Sequence, residues 1–152
     1  MSPLRMGVMG CANFAWQSMI PALIECDAVD LVAVASRTKD KAQKFSRRFN
    51  CDALVGYESL LSRKDIEAIY IPLPTGLHEE WVVKALEARK HLLVEKSFAE
   101  NFASAKKMTD LACLKKCLVM ENFLFPHHSQ HNWVTEKIRK FELGQIHLFR
   151  ST

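Results

Sequence analysis

The stretch HLLVEKSFAEN, residues 91–101, runs an apolar segment straight into a carboxylate and an ammonium, Glu95 and Lys96. Taking a charge out of water is costly unless it is paired, and a buried pair adds little stability. An ion pair at the mouth of a core therefore asks for a function, and an ammonium so placed suits proton transfer to a substrate oxygen. The alternative is a purely structural pair. A second stretch with chemistry in it is LRMGVMGCANFA, residues 4–15. The dinucleotide fingerprint G-x-G-x-x-G needs its first glycine for a tight turn, its second so that backbone can approach a pyrophosphate, and its third for helix–strand packing. Gly10, Ala12 and Ala15 stand at those places, one glycine and two residues of the next-smallest kind. The N–H groups of Cys11, Ala12, Asn13 and Phe14 would then face phosphates at a helix N-terminus. A small-residue turn that only packs a helix on a sheet is the plainer reading.

A third stretch, VAVASRTKDK, occupies the place where the fingerprint expects an Asp or Glu for the ribose 2′-hydroxyl. Ser36 and Arg37 stand there instead. A guanidinium cannot accept from a hydroxyl, but it grips a 2′-phosphate in bidentate fashion. The pattern therefore points to NADP before NAD. Against it stands a solvated helix face made of Arg37, Lys39, Lys41 and Lys44, and the lysines beyond Lys39 are assigned to that face.

These groups need elements to hold them. Apolar runs at 4–9, 31–35, 66–71, 91–94 and 118–120 read as strands, short and flanked by turn residues. Amphipathic stretches at 13–25, 39–49, 77–88 and 103–114 read as helices, with a short turn at 58–62 and a last helix at 129–141. Strand–helix alternation predicts a doubly wound α/β domain with a parallel sheet. In IYIPLPTGLHEEW, Pro72 and Pro74 must take the chain out of the sheet at its carboxyl edge, where such folds bind ligands. Leu73 and Pro74 are accordingly placed beside the cofactor. His78 opens the following helix, either as a cofactor contact or as a polar surface residue. Beyond Gly144, QIHLFRST begins a further strand that runs off the end of the chain.

Composition narrows the rest. At 152 residues the chain is long enough for one well-buried core, and its formal charge of +4 is mild. Nucleic-acid modules concentrate far more basic charge on one face, so no nucleic-acid partner is expected. No apolar run reaches membrane-spanning length, and the N-terminus lacks a secretory pattern. Five scattered cysteines argue for reduced thiols in the cytoplasm. Neither Cys113 with Cys117 nor His127 with His131 gathers the further ligands a metal needs, so no metal is assigned.

The strings GVMGCANFA, VAVASR, AIYIPLPTGLHEEWVVKALEARKHLLVEKS and LVMENFLFPHHSQH resemble the cofactor-binding domain of the glucose–fructose oxidoreductase/inositol dehydrogenase/MocA family, over essentially the whole chain. Within it, VMGCA, YIPLP and MENFLFPHHSQH look most like nucleotide-sugar 3-ketoreductases. The resemblance implies an NADP-dependent oxidoreductase acting on a carbonyl of a sugar or nucleotide sugar. It places Lys96 beside the nicotinamide as the proton-donating residue and puts Glu95 and Asn122 on the cofactor side. It further implies a cofactor domain over 1–142, with 143–152 opening the first strand of a substrate domain absent here, and a homo-oligomer at full length. Two departures stand out. Ser97 replaces the proline of the family's E-K-P signature, and NFLF keeps Asn122 and Phe125 but lacks the two arginines many relatives carry there. The alternatives are a non-catalytic NADP-binding module and a dihydrodiol or xylose dehydrogenase of the same family.

Overall fold

The computed structural model describes residues 2–142, 144–148 and 150. They fall into two compact units, Met1–Asn122 and Phe123–Thr152. The first is a six-stranded, wholly parallel sheet in the order β3-β2-β1-β4-β5-β6. The strands are β1 (Leu4–Met9), β2 (Val29–Ser36), β3 (Asp52–Val55), β4 (Ala68–Ile71), β5 (His91–Glu95) and β6 (Val119–Asn122). The order reverses between β1 and β4, and doubly wound sheets bind ligands at that switch point, outside the carboxyl ends of the strands.

Both faces of the sheet are covered, which is why its strands read as continuous apolar runs. Side chains alternate between the faces. Met6, Val8, Val34, Ala68 and Tyr70 pack on one side with Ile20, Leu23 and Phe45. Met9, Ala33, Ala35, Ile69 and Ile71 pack on the other with Leu60, Trp81, Val82 and Met108. The helices doing the covering are α1 (Ile20–Glu25), α2 (Lys39–Phe49), α3 (Tyr57–Leu61), α4 (His78–Glu87) and α5 (Phe102–Lys115). At the amino edge, Asp65 takes charge-assisted bonds from Arg63 and Arg5, which also reaches Asp30. Those two guanidinium groups hold the Asp65 carboxyl well below the usual carboxylate range.

Two differences from the expected elements have physical causes. The helix expected over 13–25 carries a widened turn at Ala15–Met19 before α1. It ends against Pro21, whose nitrogen has no proton for the ladder. Strand β3 was not among the expected strands; it is a four-residue edge strand with mostly exposed side chains, so it has no apolar run to reveal it.

In the second unit, α6 (Ser129–Arg139) is capped by His128, whose Nδ1 accepts from the Gln130 N–H at 3.2 Å. His131 lies edge-on to Phe125 with ring centres 4.6 Å apart. Residues 144–148 and 150 form no strand; the rest of the strand expected there lies outside the described residues. Among the described residues no cluster of His, Cys, Asp or Glu could hold a metal, and no helix is long and apolar enough to cross a membrane.

Candidate functional site: a groove along the carboxyl edge

The groove starts at the turn after β1. Gly10 has φ +120°, a conformation side chains avoid, and a Cβ built on it would lie 2.8 Å from Leu73 Cδ2. Its N–H donates to Ala35 O at 2.9 Å, tying the turn to the end of β2. Ala15 is fully buried in the core, so it packs the helix on the sheet and cannot touch a ligand. That corrects its assignment as a cofactor contact and matches the role of the third small residue in the fingerprint. Asn13 is exposed and lines neither of the clefts described next.

Two clefts follow the edge and share the walls Ala12, Pro72 and Leu73. The first, about 170 Å³, is lined on its far side by Ser36, Arg37, Thr38, Lys41 and Tyr57, with Gly10, Cys11 and Pro74 nearer the turn. No carboxylate lines it. Ser36 is buried and its hydroxyl accepts from the Thr38 N–H, while Arg37 is exposed. Burial pushes the Cys11 thiol up from its ordinary value, against the opposing effects of Ser36 and Lys41.

The second cleft, about 260 Å³, is lined by Phe14, Glu95 and Lys96 besides the shared walls. The ion pair expected here is not formed. Among the described residues Lys96 enters no salt bridge, and Glu95 is engaged by neutral donors. Glu95 Oε1 accepts from the Tyr70 hydroxyl and the Asn122 amide, both at 2.6 Å. Tyr70 is fully buried, and that burial, reinforced by the carboxylate bond, pushes its hydroxyl far up. It therefore remains a donor. Lys96 itself is exposed, so this chain alone does not desolvate its ammonium.

Two further expected contacts act at one remove. His78 is fully buried, with Nε2 2.8 Å from Leu73 O and Nδ1 3.0 Å from Ser97 O. It joins the loops after β4 and β5 and presents nothing to the groove. The Lys96–Ser97 peptide, just before the carbonyl it bonds, is cis. Asn122, also buried, reaches the groove through Glu95. Both side chains are buried and bonded within the chain, which sets them back from the groove they were expected to line. Sequence reasoning missed Tyr70, Tyr57 and Lys41. A tyrosine inside an apolar strand was the one available signal, because a buried hydroxyl must find a partner.

With this geometry in place, the comparisons decide the family. The profile of the GFO_IDH_MocA oxidoreductase family, NAD-binding Rossmann fold, matches residues 4–123. The chain belongs to this family. Among relatives of the GFO_IDH_MocA family, dTDP-3,4-didehydro-2,6-dideoxy-alpha-D-glucose 3-reductase of Saccharopolyspora spinosa is 46% identical over 147 residues, covering 97% of this chain and 44% of its own. The reductase of the same name from Actinomadura kijaniata is 40% identical over 99% of this chain and 46% of its own. A crystal structure of KijD10, a 3-ketoreductase from Actinomadura kijaniata with NADP, superposes with TM-score 0.90 at 41% identity, over 95% of this chain and 46% of that one. The chain thus spans less than half the length of these relatives.

Proposed function

We propose that this chain is the NADP-binding half of an oxidoreductase that moves a hydride between nicotinamide and a carbonyl of a sugar or nucleotide sugar, in the manner of a 3-ketosugar reductase. One observation carries the reading: a glycine turn, a cationic cleft beside β2 and an exposed lysine share continuous walls along the carboxyl edge. The residues fit the cofactor. Position 10 admits little but glycine, and the ribose-side cleft offers Arg37 and no carboxylate to take a free diol.

Bound there, NADPH supplies the hydride. The chain's own residues do the remainder. Backbone N–H groups from Cys11 to Phe14 would hold the pyrophosphate, and Ser36 with Arg37 would hold the 2′-phosphate. Leu73 and Pro74 wall the groove. Lys96 Nζ carries a proton to the carbonyl oxygen as charge develops on it. Glu95, fixed by Tyr70 and Asn122, anchors the end of β5 from which Lys96 projects. The names of the reductases at 40–46% identity support a nucleotide 3-ketosugar as substrate.

The test is turnover. A full-length protein carrying this chain should oxidise NADPH with a dTDP-linked 3-ketosugar, and Lys96→Met should abolish it. Tight NADPH binding with no turnover of any ketosugar would leave a nucleotide-binding module instead.

A further inference from the structure

Ser97 follows Lys96 directly, where the family signature has proline. A proline fixes its own φ and carries no N–H; serine does neither. The turn that bears Lys96 must then be held by other groups, and strand β6 supplies two of them.

Glu95 pairs in register with Asn122, and Val94 with Glu121. As neighbours on one strand, Glu121 and Asn122 leave the sheet on opposite faces. The Asn122 amide donates to Glu95 Oε1 at 2.6 Å, one residue before the lysine. Glu121 Oε1 accepts from the Phe98 N–H at 2.8 Å, beyond the lysine. The two bonds bracket Lys96.

His78 closes the turn as well, with Nδ1 3.0 Å from Ser97 O and 3.2 Å from Phe98 O. The Phe98 side chain packs on the core that includes Leu73, Trp81 and Met108. The Lys96 side chain, by contrast, is exposed and enters no salt bridge among the described residues. A fixed backbone with a free ammonium suits proton transfer to an incoming oxygen, because a misplacement of about 1 Å can cost about 10²-fold in rate.

We propose that Glu121 is a positioning residue for Lys96, its carboxylate holding the turn on which the lysine rides in place of the missing proline. The role rests on the reading of Lys96 as proton donor above. An exposed acid is ordinarily just a solvated surface group. Glu121 differs in placing an oxygen on a backbone N–H 23 residues away, in a charge-assisted bond.

Glu121 is exposed, so replacing it tests the turn without opening the core. In this chain, Glu121→Ala should speed hydrogen exchange of the Phe98 amide by about tenfold or more, read by NMR. In the full-length protein it should lower kcat with a dTDP-linked 3-ketosugar by about tenfold to a hundredfold, with the NADPH dissociation constant changed by less than about threefold. Glu121→Gln keeps an acceptor oxygen and should recover most of the loss. Ser97→Pro added to Glu121→Ala should also recover rate, since proline restrains the turn directly and no hydrogen bond among the described residues uses the Ser97 N–H. Unchanged exchange at Phe98 or unchanged kcat in Glu121→Ala overturns the proposal. So does an equal loss of kcat and NADPH affinity, a Glu121→Gln as slow as Glu121→Ala, or a proline that restores nothing. If Lys96→Met abolishes turnover while Glu121→Ala keeps it, this inference falls and the proposed function stands. If Lys96→Met keeps turnover, the role of Lys96 falls and this inference with it.

Discussion

Replacing Gly10 by alanine perturbs the groove at its tightest point, and the size of the effect can be worked from two separate terms. The first is backbone: φ +120° is glycine territory, and holding a side-chain-bearing residue in such a region costs about 1–3 kcal/mol. The second is packing. The added methyl would meet Leu73 Cδ2 at 2.8 Å, but that atom is the end of a side chain that can swing, so overpacking takes the low end of its range, about 1 kcal/mol. The sum is about 2–4 kcal/mol. At about 2–4 °C per kcal/mol for a domain of this size, the melting temperature should fall by roughly 5–15 °C. Leu73→Ala added to Gly10→Ala should relieve the clash and leave the backbone cost, making the pair less destabilising than the sum of the two single changes. Thermal unfolding checks stability, and calorimetry should show NADPH bound at least about tenfold more weakly, because Leu73 and the turn are both walls of the groove. A Gly10→Ala chain that melts within a degree of the parent and binds NADPH equally well would refute the claim that this tight glycine turn shapes the groove.

Lys96→Met in the full-length protein removes donor and charge while keeping side-chain length. Its kcat should fall by at least about 10³ with the NADPH dissociation constant changed by less than about threefold, measured by steady-state kinetics and calorimetry. Intact kcat with weakened NADPH would move the proton donor elsewhere. Asp65 supplies a pH test far from the site. Its carboxyl is held well below its ordinary value by Arg63 and Arg5, so its stabilisation is full above the unfolded carboxylate pKa, about 4, and drains away as pH falls toward the folded value. In urea unfolding at a series of pH values, the stability gap between the parent and Asp65→Asn should be constant from pH 7 to about 5 and shrink below about 4.

Much of the frame was legible because local pattern and global fold agree. Strand β1 and helix α2 carry clean apolar runs or amphipathic spacing and appear with the bounds the sequence suggested. Strand β3 was not legible, since an edge strand of DALV with exposed faces leaves no period to count. At the site, Gly10, Arg37, Leu73, Glu95 and Lys96 could be placed because turn chemistry and strand ends fix which residues reach the carboxyl edge. His78 and Asn122 could not be told from direct contacts. Whether a polar side chain at a strand or helix end faces ligand or core depends on partners far away in sequence: Leu73 and Ser97 for one, Glu95 for the other. Tyr70 and Glu95 lie 25 residues apart and meet only because β4 and β5 pair in register, with Tyr70 opposite Leu93. Lys41 was lost among the lysines of α2 for the same reason, as helix spacing does not say which of them looks into a cleft.

Affinity for the two cofactors tests the central claim most directly. Titrating the unmodified chain with NADPH and NADH should show NADPH bound at least about tenfold more tightly, a gap of about 1.4 kcal/mol. Arg37→Ala should remove most of that gap while leaving NADH nearly untouched. Equal affinities in the unmodified chain, or no binding of either cofactor, would contradict the account.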